Sequence, residues 1–225
     1  MTEHPIITGE QALSCSRSTV DHPHRTDLVQ HARPGLLVAI EGPRGVGKTI
    51  TTQLVVDLLR TGGLPAVTQE PPGAPGTPGY RGLAEARLAA ETARRALERG
   101  DVMVCDGYIG TSLALQCMDG VDRDASWELL QRNIRPDLTV MVGAQPDVLA
   151  QRLASRGACS RHEREHRSGI ECGYFAEAGR FLRHKGVRVL DVDSSHVDSA
   201  EIARTVVAAI TRIAKEPEDP PRGTW

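Results

Sequence analysis

The sequence predicts an α/β fold, a parallel sheet of five strands flanked by helices on both faces. Three observations point to it. Five short apolar runs lack the polar alternation of a strand with one wet face. Segments with a helical apolar period stand between them, and glycines close several of those segments. Alternation of the two kinds, with strands too apolar to face water, means parallel strands under helices on both sides. The chain has 225 residues, 40% of them hydrophobic and 25% charged, which suits one sizeable domain and is short for two.

Residues 1–34 are polar, hold prolines at 5, 23 and 34, and show no sustained period, so they read as a flexible arm. The His22 and His24 pair inside it reads as incidental. The folded domain is expected over 35–215. GLLVAIE (35–41) is the first strand, and TITTQLVVDLLRTGG (49–63) is a helix stopped by glycine. LPAVTQE (64–70) is the second strand, followed by the proline and glycine loop PPGAPGTPG. LAEARLAAETARRALERG (83–100) has a strong helical pattern and again ends in glycine. DVMVCD (101–106), DLTVMVG (137–143) and VRVLDVD (187–193) are further buried strands. PDVLAQRLASRG (146–157) and SAEIARTVVAAITRIAK (199–215) are helices, and EPEDPPRGTW (216–225) is an unstructured tail. No internal repeat interrupts this order.

Composition narrows the function. A formal net charge of −2 gives no overall field toward nucleic acid or membrane. Aromatics at 3% do not make a stacking platform for single strands. No apolar stretch approaches a membrane span, and the N-terminus lacks a secretory signal's apolar core. The cysteines, at 15, 105, 117, 159 and 172, form no disulfide framework, so the chain is expected to be cytoplasmic.

The chemistry begins at GPRGVGKT, residues 42–49. A strand, a glycine-rich turn and a helix in that order are the context a phosphate-binding loop needs. Gly42, Gly45 and Gly47 let backbone N–H groups, that of Val46 among them, turn inward around phosphate oxygens. Lys48 brings a point charge to the β and γ phosphates, the Thr49 hydroxyl suits Mg²⁺, and the helix N-terminus adds its dipole. Lysine occurs only at 48, 185 and 215, while arginine is common. The loop nevertheless carries a second cation, Arg44. Asp106 ends its strand where such a loop's acidic Mg²⁺ partner belongs.

The segments IEGPRGVGKT, EPPGAPGTPG, ALERGDVMVCD, CDGYIGTSLALQ, PDLTVMVGAQPDVLAQRLASRG and VRVLDVDSS occur in order from about residue 35 to 195. Together they resemble a thymidylate kinase. The resemblance implies a P-loop NTPase fold, ATP and Mg²⁺, γ-phosphoryl transfer to a nucleoside 5′-monophosphate, and a homodimer. By the same likeness the acceptor meets Arg44, Glu70, Pro71, Arg81 or Arg87, Tyr108, Leu115 and Gln116.

The chain departs from the family pattern mostly on the acceptor side. The family's D-R-[YFH] box is Asp106-Gly107-Tyr108 here, one arginine poorer. T-R-E-P-G-G-T is replaced by Thr68-Gln69-Glu70-Pro71-Pro72-Gly73, and A-Y-Q by Ala114-Leu115-Gln116. The tyrosine that crowds a ribose 2′-OH in the family is therefore a leucine. Arg44 stands where the family has Asp or Glu near the sugar 3′-OH. Three roles are open to it: contact with an anionic or carbonyl group of the acceptor, contact with the transferring phosphoryl, or a solvated loop tip.

After the helix from Pro146, ACSRHEREHRSGIECGYF lies where the family has a mobile lid, here about 156–171. Arg152 and Arg156, spaced i, i+4, share a helical face and are expected at the donor nucleotide, with Arg164 and Arg167 as further candidates. Arg161, in SRHE, matches the family's D-R-I-E and is expected to be the catalytic lid arginine. Cys159, His162, His166 and Cys172 offer a rival use as zinc ligands, at a spacing that fits no common finger. The expected activity is nucleoside monophosphate phosphorylation, of a dTMP-like or modified pyrimidine nucleotide. Two alternatives remain: a nucleotide-binding relative without transfer, and a P-loop kinase with a non-nucleotide acceptor.

Overall fold

The structure is a computed structural model describing residues 35–69, 81–154 and 161–216. The residue 1–34 arm, most of the tail, Glu70, Pro71, Arg156 and Cys159 lie outside these residues. Arg81, Arg161, His162 and Arg164 are described in backbone only.

Five strands are present: β1 (Leu36–Glu41), β2 (Ala66–Gln69), β3 (Val102–Asp106), β4 (Leu138–Gly143) and β5 (Val189–Asp193). All pair in parallel, in the order β2-β3-β1-β4-β5. The inner strands β1, β3 and β4 are buried along almost their whole length, so helices must cover both sides. β5, expected to be buried, is instead a half-exposed edge strand with Asp191 and Asp193 in solvent. On one face α1 (Lys48–Thr61), α5 (Pro146–Leu153) and α7 (Ser199–Ile213) pack Val55, Leu59, Leu149, Ile202, Val206 and Ile210 against the sheet. On the other lie α2 (Arg81–Glu98), α3 (Ile109–Met118), α4 (Arg123–Leu130) and α6 (Arg161–His184), with Ala93, Leu113, Trp127, Leu130, Phe175 and Leu182 inside. The result is the doubly wound α/β architecture of P-loop NTPases. Chain order reverses about the central β1, and the carboxyl ends of its strands bound the crevice where such sheets bind ligands.

The helices begin and end for local reasons. Asp122 caps α4 by accepting from the Asp124 and Ala125 N–H groups, and Asp198 caps α7 through the Glu201 N–H. Pro146 occupies the first turn of α5, and Gly62 follows the last residue of α1.

Three helices differ from the sequence expectation. α3 and α4 were not anticipated. α3 is so largely buried that it shows no amphipathic stripe, and α4 is only eight residues long. The third is α6, a continuous helix that takes in residues 161–171 of the expected lid. Its opening RHEREHRS is polar all round and hides the period. The stripe emerges only over the whole helix, where Ser168, Glu171, Phe175, Ala178 and Leu182 are all buried. This geometry also separates two of the candidate zinc ligands: His166 and Cys172, six residues apart, are about 9 Å apart along the axis and on different faces.

Leu58 and Leu59 are neighbours on α1 with opposite surroundings, 38% and 1% exposed. Leu59→Ala is expected to lower unfolding free energy by about 2–5 kcal/mol by opening a cavity between α1 and the sheet. Leu58→Ala is expected to cost under about 1 kcal/mol. Urea unfolding of the two variants checks the difference.

Candidate active site

Register builds the site before any side chain is considered. Ile40 of β1 pairs with Asp106 of β3, and Glu41 pairs with Met141 of β4. The phosphate loop therefore leaves β1 beside the end of β3. Gly42 has φ +148°, and a Cβ on it would stand 2.1 Å from the Val142 carbonyl oxygen, so only glycine lets the loop start this close to β4. Gly45 packs under Leu149 and Leu153 of α5, and Gly47 lies against Ser199 at the start of α7.

Lys48 donates to the carbonyl oxygens of Gly42 at 2.7 Å and Pro43 at 3.0 Å, curling over its own loop. Burial lowers its pKa, and Arg44 acts in the same direction. Asp106, Glu171 and Glu41 oppose that shift, each a negative charge near the ammonium. The Thr49 hydroxyl donates to Asp106 Oδ2 at 2.5 Å. The two residues expected to serve Mg²⁺ thus stand side by side at the loop mouth.

Glu41 was given no role by sequence reasoning, yet it organises this corner. Its side chain is wholly buried at the end of β1. One oxygen accepts from the Gly110 N–H at 2.9 Å. The other accepts from the Tyr108 and Thr111 N–H groups at 3.1 and 2.8 Å and from the Thr111 hydroxyl at 2.6 Å. These N–H groups belong to the first turn of α3, so the carboxylate satisfies orphan donors and meets the positive end of the helix. The signal in the sequence was a charged residue closing an otherwise apolar strand run.

Glu171 is the second residue sequence reasoning passed over. It occupies a place on the buried stripe of α6, and a carboxylate among apolar positions was the sign of it. Its Oε1 accepts from the Arg44 backbone N–H at 2.8 Å, and its Oε2 from Arg44 Nε at 3.2 Å. Arg44 is therefore not a free loop tip in this structure, although 71% of its side chain is exposed.

Other expected site residues are held by contacts of their own. Tyr108 is in the core, 1% exposed, with its hydroxyl donating to the Ile134 carbonyl, and burial pushes its pKa up. Gln116 is also buried and donates to the Ser112 carbonyl one turn back, while Leu115 beside it is half-buried. Arg152 is committed to the loop after β5, donating to the hydroxyl and carbonyl of Ser194. Gly107 has φ +81°, a left-handed conformation that disfavours the arginine of the family box.

Removing the Glu41 acceptor should be costly. Glu41→Ala is expected to destabilise the protein by about 3 kcal/mol or more, because it leaves several buried N–H groups without a partner. Denaturant titration of the variant measures this, and Thr111→Val, which removes a single donor, should cost about 1 kcal/mol.

Comparison with known proteins places the chain in a family. The thymidylate kinase family model matches residues 83–183, from α2 to α6. A thymidylate kinase of Deinococcus radiodurans is 33% identical over 182 residues, 66% of this chain and 87% of that protein. One from Methylococcus capsulatus is 31% identical over 71% of this chain and 88% of its own length. One from Pseudomonas syringae pv. tomato is 28% identical over 81% and 96%. Likeness of this extent takes in much more of the chain than the stretch from α2 to α6, and the chain belongs to the thymidylate kinase family.

Proposed function

We propose that the protein transfers the terminal phosphoryl of ATP to a nucleoside 5′-monophosphate, a dTMP-like or modified pyrimidine nucleotide, giving the diphosphate. The observation that carries this reading is the meeting of Thr49 Oγ1 and Asp106 Oδ2 at 2.5 Å beside Lys48. Two hard oxygen donors suit Mg²⁺, which keeps most of its shell for water and phosphate. Among the described residues no group of three or more His, Cys, Asp or Glu could hold a metal ion. When bound, Mg²⁺ would neutralise charge on the donor's phosphates.

The chain's own residues do the rest. Lys48 exchanges the Gly42 and Pro43 carbonyls for donor phosphate oxygens, and the amides of Gly45, Val46 and Gly47 close around them. Arg44 adds a second cation at the loop, directed to the phosphoryl or the acceptor. Arg161 serves the transferring phosphoryl from α6, and Arg152 and Arg156 serve the donor nucleotide. Glu70, Pro71, Arg81 and Leu115 border the acceptor. Such a reaction asks for positioning and charge stabilisation more than covalent help. The unpaired thiols of Cys105, Cys117 and Cys172 suit a cytoplasmic setting, and the family resemblance supports a homodimer. Among the described residues no helix is long and apolar enough to cross a membrane.

Two other readings each have an observation behind them. Gly107 brings no side chain to the place beside Asp106, which favours a nucleotide binder without transfer. The burial of Gln116 favours an acceptor that is not a nucleotide. ADP formation with a panel of ribo- and deoxynucleoside monophosphates and of non-nucleotide hydroxyl compounds separates the three. The proposed kinase makes ADP only with a monophosphate, the second kinase only with another acceptor, and the binder with neither.

Lys48→Ala is expected to reduce that ADP formation by several orders of magnitude with the unfolding midpoint little changed. A rate within a few-fold of wild type would detach the loop from the donor. Asp106→Asn keeps the shape but removes the charge, so turnover should need far more Mg²⁺, while nucleotide binding in EDTA stays close to wild type. Mg²⁺ titration of both proteins measures the displacement.

A further inference from the structure

The Glu171 carboxylate is buried on the inner stripe of α6, with 5% of its side chain exposed. A buried carboxylate is costly unless its oxygens are matched by donors. Here each oxygen takes one, and both come from Arg44, 127 residues away in sequence. The backbone N–H fixes where the loop tip stands, and the Nε contact fixes how the guanidinium is turned. Arginine carries five N–H donors in a rigid plane. Holding it at Nε leaves the two Nη groups as a fork, the arrangement that meets an oxyanion with two parallel hydrogen bonds. Those Nη groups have no hydrogen bond or ion pair among the described residues, and the side chain is 71% exposed.

The position of this fork matters. Arg44 is one of the charges that act on Lys48, and Glu171 is another, so the pair stands beside the phosphate-binding ammonium. Gly107, next to Asp106, contributes no cation of its own. Arg44 is the cation that acts on Lys48, and Glu171 decides its orientation.

We infer that Glu171 is a positioning residue that aims the Arg44 guanidinium, through its Nε, at the non-bridging oxygens of the phosphoryl group in transit. This rests on the kinase reading and assigns the loop arginine to the phosphoryl rather than to the acceptor. Charge that builds on those oxygens during transfer meets two N–H donors already turned toward it, so little reorganisation is left to do. The Glu171 carboxylate touches no reacting atom and acts only through Arg44.

The test uses the full chain, ATP, Mg²⁺ and whichever monophosphate supports acceptor-dependent ADP formation. Arg44→Ala, which removes both Nη donors, is expected to lower kcat at least about a hundredfold, with both KM values within a few-fold of wild type. Glu171→Gln keeps the shape and should lower kcat about tenfold with the same KM pattern. Arg44→Lys should resemble Arg44→Ala, because lysine keeps the charge but has neither Nε nor a fork. The double variant Arg44→Ala/Glu171→Gln should be no slower than Arg44→Ala alone, since the carboxylate acts only through the arginine. Unchanged kcat in Glu171→Gln, full rescue by lysine, or independent losses in the double variant would each overturn the positioning role while leaving the kinase intact. A large rise in acceptor KM at constant kcat in Arg44→Ala would move the arginine to the acceptor and overturn it equally. Arg44 lies on an exposed loop, so its variants keep the test open should Glu171→Gln fold poorly. A wild type that forms no ADP with any acceptor overturns the kinase reading itself.

Discussion

The Glu41 side chain leaves the end of the central strand with none of its surface exposed, and both oxygens are met by donors from the first turn of α3. A carboxylate taken out of water at the centre of a sheet is tolerable only with such donors and with the positive end of a helix dipole facing it. Everything at the mouth of the site follows from this anchorage. It ties the strand that launches the phosphate loop to the junction between β3 and α3. Asp106 lies in that junction and so comes within reach of Thr49. Gly110 completes the fit, because a Cβ there would stand 3.0 Å from the Glu41 carboxyl carbon.

The loop itself is held from three sides. Leu149 and Leu153 of α5 cover Gly45, Ser199 of α7 stands against Gly47, and Glu171 of α6 grips Arg44. Each support comes from a different part of the chain, and the parallel topology gathers them at the carboxyl edge of the sheet. The same α6 also carries Phe181, whose ring meets Trp127 of α4 edge to face at 5.3 Å. One helix thus links the nucleotide-binding edge to a packed aromatic contact more than two turns away.

Charge at this edge is balanced between few groups. Lys48 and Arg44 stand among Asp106, Glu171 and Glu41, and the lysine is partly withdrawn from water. Lys48 spends its hydrogen bonds on loop carbonyls that an anionic ligand can replace. Among the described residues Arg44 has one side-chain partner, Glu171, which it meets through Nε. Tyr108 and Gln116 are drawn into the core, and Leu115 beside them is half-buried.

Much of this was legible in the chain itself. The five apolar runs became the five strands, and the glycine-rich loop stands between a strand and a helix as its spacing requires. Thr49 and Asp106 were readable as a pair because one closes the loop motif and the other closes a strand, both short-range patterns. Only tertiary structure decided the rest. α3 and the polar start of α6 carry no clear apolar period, so packing rather than local propensity makes their assignment. The burial of Tyr108 and Gln116, the four donors on Glu41, and the hold of Glu171 on Arg44 join residues distant in sequence. Such contacts depend on strand register and on which face of a helix meets the sheet, and no local pattern of residues encodes either one alone.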